Sequence, residues 1–146
     1  MRIATPLTRL RASLRLGAAY FFLVAAAHIM ALKVPVLFVY FNVPSYAYQD
    51  KLIALFAFGW GVFLCAGGAR RERVLDTARS ALWAGVGGLL GLGVINVVTD
   101  FHALAADVHP GIFWVEWLGL CAYLGWLALL YRNARTHRET SQGTRT

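Results

Sequence analysis

Four long apolar stretches limit what this sequence can fold into. They cover approximately residues 14–32, 51–68, 81–100 and 112–131. Each is close to the roughly 20 apolar residues that a helix needs to cross the hydrocarbon core of a bilayer. Because a spanning segment must satisfy its own backbone hydrogen bonds, and because these stretches lack the alternation of barrel strands, each is predicted to be a helix. The predicted fold class is all-α, a polytopic membrane protein.

The composition agrees with this prediction. Hydrophobic residues make up 59% of the 146-residue chain and charged residues 14%, whereas about 25% of the residues of a soluble domain are charged. Disorder, a collagen-like fibre and a secreted disulfide scaffold are excluded together. The length allows one domain. We predict a single transmembrane domain over residues 1–132 and a polar, basic cytoplasmic tail over 133–146.

The distribution of Lys and Arg predicts the orientation. The connections after the first and third stretches contain only Lys33 and Lys51. All twelve arginines lie at the two ends and in the middle connection: Arg2, Arg9, Arg11, Arg15, Arg70, Arg71, Arg73, Arg79, Arg132, Arg135, Arg138 and Arg145. By the positive-inside rule, both termini and the middle connection are cytoplasmic. The sequence therefore predicts an antiparallel four-helix bundle in a bacterial-type inner membrane.

The net charge of +7 does not indicate a nucleic-acid partner. The cations flank membrane segments, where attraction to anionic lipid headgroups explains them, and no groove-reading motif accompanies them. The basic N-terminus and the small residues Ala25 to Ala27 resemble a cleaved secretory signal. The apolar stretch continues through Leu32, however, and an uncleaved first span is the better interpretation.

The third stretch is unusually rich in glycine. Gly85, Gly87, Gly88 and Gly91 provide small-xxx-small spacings, including the GxxxG pair of Gly87 and Gly91. Such residues let helix backbones approach closely in lipid. We expect these four glycines to pack the bundle and the third helix to be central.

Polar residues gather at the predicted outer face. Titratable residues inside or beside spans are functional candidates by default. The candidates for a ligand or proton site are Glu116, His28, Asp100, Asn96, His102, Lys51 and Asp50. Four antiparallel helices would bring several of them to one height, which predicts an outward-facing polar pocket. The connection over 34–48 is too aromatic for a free aqueous loop and is expected to lie on the membrane or fold over the helix ends.

Three interpretations of this cluster remain open. His28, His102, His109 and Glu116 are candidate metal ligands, since imidazole and carboxylate bind zinc, copper and iron. Alternatively, Glu116 and His28 handle protons or bind a lipophilic, quinone-like ligand. In the third interpretation the groups only pair with one another, Lys51 with Asp50 or Glu116 and His28 with Asn96, and fix helix register. The sequence identifies no cofactor and leaves open whether the protein is an enzyme.

In length, four-span layout and cytoplasmic ends, the chain resembles the DoxX-like group of small bacterial membrane proteins. This resemblance is one of topology and matches no signature residues. It implies a small membrane oxidoreductase or carrier linked to quinones. The polar cluster of this sequence supplies Glu116 and His28 as the residues that would bind the quinone-like ligand or a metal. The leading hypothesis is an accessory or structural component of a membrane redox or transport assembly, with a membrane-protein partner or a second copy of itself.

Overall fold

The chain folds entirely into helices over the part that can be described. A computed structural model describes residues 5–38 and 40–143, the last three by their backbone alone. The helices are α1 (Pro6–Ile29), α2 (Ala47–Ala69), α3 (Val74–Val98), α4 (Phe101–Leu104) and α5 (Pro110–Gly143). All but α4 are long and apolar enough to cross a membrane. The predicted all-α class with four candidate spans is therefore confirmed for these residues; Arg2 and Arg145 of the predicted charge pattern lie outside them.

Three helices extend well beyond the predicted apolar stretches, and α3 does so by beginning at Val74 instead of near residue 81. α1 begins at Pro6 because the Thr5 hydroxyl accepts a hydrogen bond from the Thr8 amide at 3.3 Å, and proline suits the first turn of a helix. α5 continues into the predicted tail, where Arg135 pairs with Glu139 one turn later at 2.9 Å. Hydropathy detects the apolar part of a helix and misses its capped or charged ends.

α1 packs most closely against α2 and also contacts α3 and α5. Near the beginning of α1, the Arg11 guanidinium donates to the carbonyls of Gly68 at 3.0 Å and Ala69 at 3.1 Å. These are among the last carbonyls of α2, which have no partner within their own helix. At the other end, His28 of α1 lies beside Asp50 in the first turn of α2.

The main apolar core lies where α1 and α3 begin and α2 ends. Side chains from all four long helices meet there, and Leu10, Leu14 and Val74 are fully buried. The complete cluster is Leu10, Leu14, Ala18, Leu64, Val74, Ala78, Ala81, Leu127, Leu130 and Ala134. This core joins the helices at the arginine-rich end and leaves the opposite end to be closed by other residues.

The prediction that α3 is the central helix is wrong. Among the four predicted packing glycines, Gly85 lies against Leu124 of α5, but a side chain added at Gly87, Gly88 or Gly91 would meet nothing within 4 Å. α3 is the least buried of the four long helices and α1 the most buried. The GxxxG spacing therefore lies on a face of α3 that no other helix covers within the described residues.

Candidate functional site

The connection between α1 and α2 folds back onto the helix ends. We call its described residues, 30–38 and 40–46, the cap segment. Phe38 is only 1% exposed and stacks on the His28 ring, with 3.9 Å between the ring centroids and 19° between the planes. The sequence predicts that this apolar connection lies on the membrane or covers the helix ends. In the structure it covers the helix ends.

Glu116 holds the backbone of the cap segment. Its Oε1 accepts a hydrogen bond from the Val36 amide at 2.8 Å, and the Tyr20 hydroxyl donates to the Val36 carbonyl at 2.8 Å. Val36 has a φ of 72°, a conformation that is rare for a β-branched residue and costs about 1–3 kcal/mol. The two hydrogen bonds hold this residue from both sides, so α1 and α5 together fix the strained turn.

A second contact joins the cap segment to α3. The Tyr40 hydroxyl donates to Asn96 Oδ1 at 3.0 Å, and the Tyr40 ring packs on Phe101 and Phe113. Burial raises the pKa of Tyr40, and the negative charge of Glu116 raises it further. The phenol therefore stays protonated at neutral pH and remains a hydrogen-bond donor to Asn96.

His28 and Asp50 form a buried pair beneath the cap segment. Their nearest atoms, His28 Nδ1 and Asp50 Oδ1, are 3.6 Å apart, while Ser45 of the cap segment donates to Asp50 Oδ2 at 3.1 Å. His28 is 1% and Asp50 8% exposed. Within the described residues neither ring nitrogen of His28 makes a hydrogen bond, which is uncommon for a buried polar group.

The space beside Glu116 is small. A cavity of about 20 Å³ lies among Tyr20, Tyr40, Asn96 and Glu116, with Leu92 and Leu120 below. This volume holds one water molecule, whereas sites for small organic ligands measure roughly 300–1,000 Å³. With the cap segment in this position, a quinone-sized ligand does not fit beside Glu116.

Several predicted site residues lie apart from this arrangement. Lys51, Asp100, His102 and His109 are exposed, and the Asp100 carboxylate accepts from the Ala103 amide at 3.2 Å and caps α4. Over residues 5–38 and 40–143, no three His, Cys, Asp or Glu side chains form a group that could hold a metal. The four proposed metal ligands are therefore not brought together there.

The predicted side-chain pairs among the polar residues were wrong, because each residue has a different partner in the structure. His28 lies beside Asp50 and not Asn96, Asn96 accepts from Tyr40, and Glu116 accepts from a backbone amide. Lys51 is exposed and makes no ion pair with either acid in the described structure. The position of a residue along its helix predicts its height in the bundle. Its bonding partner also depends on the face of the helix on which the residue lies.

Sequence reasoning missed four contributors to the site: Tyr20, Val36, Tyr40 and Ser45. Tyr20 carries a detectable signal, since it is a hydroxyl inside a span and therefore needs a partner. Val36 carries none, because its role depends on its backbone amide and carbonyl.

No protein-family model, curated protein or solved structure matches this chain. The resemblance to DoxX-like proteins therefore has only the four-span layout behind it. The function has to be inferred from the site itself.

Proposed function

We propose that this protein is an accessory or structural component of a membrane redox or transport assembly, with a closed outer face. The single observation that carries the proposal is the hydrogen bond from the Val36 amide to Glu116. Through this bond Glu116, which lies within the apolar part of α5, holds the cap segment in place. The water-sized cavity beside Glu116 supports a structural role over ligand binding.

The proposed placement is an antiparallel bundle in a bacterial-type inner membrane with both ends in the cytoplasm. Two observations support it: the start of α1 lies against the end of α2, and arginines are concentrated at that end. The cap segment then faces the periplasm. The partners proposed with this placement are anionic lipid headgroups at the arginine clusters and a membrane-protein partner or second copy on the uncovered face of α3.

Cysteine labelling tests this orientation. In a Cys65→Ser, Cys121→Ser background, we expect His109→Cys to react with a membrane-impermeant maleimide on intact cells. Arg71→Cys should react only after permeabilisation, because the middle connection is proposed to be cytoplasmic. Both positions are exposed, so accessibility within the protein does not bias the comparison. The reverse labelling pattern would show that the proposed orientation is inverted.

The role of Glu116 can be tested by hydrogen exchange. Glu116→Ala removes the acceptor of the Val36 amide, and we expect backbone exchange in residues 30–38 to become about 10- to 100-fold faster, since a hydrogen bond to a charged group contributes about 1.5–3 kcal/mol. Glu116→Gln keeps an acceptor oxygen and should have a smaller effect. The measurement is hydrogen–deuterium exchange mass spectrometry on protein purified in mild detergent, beside the amount of protein in membranes.

Asp107→Ala is the matched control for Glu116, because Asp107 is an exposed acid on the same face. It should leave exchange in residues 30–38 unchanged. If Glu116→Ala also leaves that exchange unchanged, Glu116 does not hold the cap segment and the structural proposal is wrong.

A second candidate function is a small DoxX-like oxidoreductase or carrier that uses Glu116 and His28. The observation in its favour is the buried imidazole of His28, whose nitrogens lack hydrogen bonds in the described structure, because such a group is available to a ligand or a proton. This function requires the cap segment to move and enlarge the cavity. It predicts that Glu116→Gln abolishes activity in cells while protein abundance and exchange in residues 30–38 stay as in the wild type.

A further inference from the structure

A second, larger cavity lies away from the cap segment. It is a groove of about 800 Å³ between α3 and α5, within the range of roughly 300–1,000 Å³ typical of ligand sites. Its lining is mainly apolar and includes Leu82, Leu89 and Leu124. Trp83, on its edge, is 71% exposed, so the groove opens outward from the bundle, toward the lipid of a surrounding membrane.

One end of the groove is strongly basic. Arg79 of α3 and Arg135 of α5 both line it. The two helices run in opposite directions here, since Gly85 and then Gly93 of α3 meet progressively earlier residues of α5. Side chains lean toward the N-terminus of their own helix. Arg79 and Arg135 therefore lean toward each other along the groove, which places two cationic heads at one end.

The length of the groove matches one leaflet of a bilayer. Arg79 and Leu89 are ten positions apart on α3, a rise of about 15 Å. This is half of a hydrocarbon core of roughly 30 Å. Trp83 and Tyr131 line the groove near the arginines, and such aromatic rings favour the boundary between hydrocarbon and headgroups. The groove thus matches a single lipid molecule: its basic end lies where a headgroup would, and its apolar length corresponds to an acyl chain in one leaflet.

Arg135 already pairs with Glu139 on the same helix, at 2.9 Å. Both side chains are more than 60% exposed, and exposed pairs of this kind contribute little. Since a guanidinium has five N–H donors, Arg135 can donate to a phosphate from its remaining groups.

We propose that this groove binds an anionic phospholipid, with an acyl chain between α3 and α5 and the phosphate at Arg79 and Arg135. A second copy of the chain fits less well, because a symmetric contact on this face would bring the arginine pairs of two protomers together. The inference goes beyond the headgroup contacts already proposed at the arginine clusters, because it assigns one lipid, with its acyl chain, to a defined groove. It depends on neither Glu116 nor the orientation, and requires only that α3 and α5 lie in a membrane.

Native mass spectrometry of protein in dodecyl maltoside tests the proposal. The probes are dioleoyl phosphatidylglycerol and dioleoyl phosphatidylcholine, which share acyl chains and differ in headgroup charge. We expect the phosphatidylglycerol to bind one per chain and more tightly. Arg79→Gln with Arg135→Gln should weaken its binding by about 30-fold, because each arginine near an anionic headgroup contributes about 1 kcal/mol and 1.4 kcal/mol is tenfold.

Matched controls distinguish binding of lipid in this groove from nonspecific attraction between arginines and anionic lipid. Arg71→Gln with Arg73→Gln removes the same charge from the exposed middle connection and should leave phosphatidylglycerol binding nearly unchanged. Gly125→Leu places a branched side chain inside the groove, whereas Gly119→Leu adds the same side chain to α5 outside the groove lining. Neither glycine has an atom within 4 Å of an added Cβ, so both variants should fold, and only Gly125→Leu should weaken binding of the lipid.

Three results would overturn the proposal. The first is equal binding of the two lipids, and the second is equal weakening by the two arginine double variants. The third is a dimer that Gly125→Leu dissociates, which would make this face a contact between copies of the chain.

Discussion

His28→Ala should lower the free energy of unfolding by about 3 kcal/mol. The His28 ring is buried beside the Asp50 carboxylate, 3.6 Å away, and truncating a large buried side chain to alanine costs about 2–5 kcal/mol. The substitution also removes the ring on which Phe38 stacks, which leaves a cavity under the cap segment. The prediction can be checked by titrating SDS into mixed micelles and following unfolding by tryptophan fluorescence.

A double-mutant cycle shows whether the loss comes from the pair itself. Asp50→Asn removes the charge but keeps an acceptor for the Ser45 hydroxyl, which donates to Asp50 at 3.1 Å, so its cost should be smaller, about 1–2 kcal/mol. The double variant should cost at least about 1 kcal/mol less than the sum of the single variants. His109→Ala, at an exposed position, should change stability by no more than about 0.5 kcal/mol.

Additive effects would mean that His28 and Asp50 do not stabilise each other, despite the 3.6 Å between them. If His28→Ala is as stable as the wild type but loses the proposed carrier or oxidoreductase activity in cells, that second function is favoured. The stability and the cellular activity of His28→Ala therefore distinguish the two proposed functions.

The four spans were predictable from the sequence, whereas the pairs at the cap site were not. Hydropathy depends on the number of adjacent apolar residues, so it finds α2 and the apolar part of α1 directly. The partner of His28 depends on how α1 and α2 are rotated about their axes. Depth alone made Asn96 a reasonable partner, but the rotation places Asp50 next to the imidazole.

Glu116 was recognisable as important because an acid inside a span is costly. Its actual partner is the amide of Val36, and no side-chain pattern reveals a backbone donor. The glycine spacing in α3 has a similar limit. GxxxG predicts that two helices can approach closely, but it does not say whether the second helix belongs to the same chain. In the part of the chain that the structure describes, no helix lies against Gly87 or Gly91.

Gly67→Ala should be among the most damaging single-methyl changes in the protein. A Cβ at this position of α2 would overlap three side-chain atoms of Thr77 on α3, and Thr77 is itself buried. Overpacking of this kind typically costs about 1–3 kcal/mol. Because Gly67 and Thr77 lie beside the main core, the displacement would separate α2 from α3, and a lower melting temperature in detergent should report it.

Gly87→Ala is the matched control, since the same methyl group at Gly87 of α3 meets no atom within 4 Å. Alanine also favours a helix over glycine by up to about 1 kcal/mol, so this variant should be as stable as the wild type or more stable. Thr77→Ala, which removes two of the three overlapping atoms, should restore part of the stability that Gly67→Ala loses. If Gly67→Ala is tolerated as well as Gly87→Ala, α2 and α3 do not pack closely at this point, and the core at the arginine-rich end is looser than the structure describes.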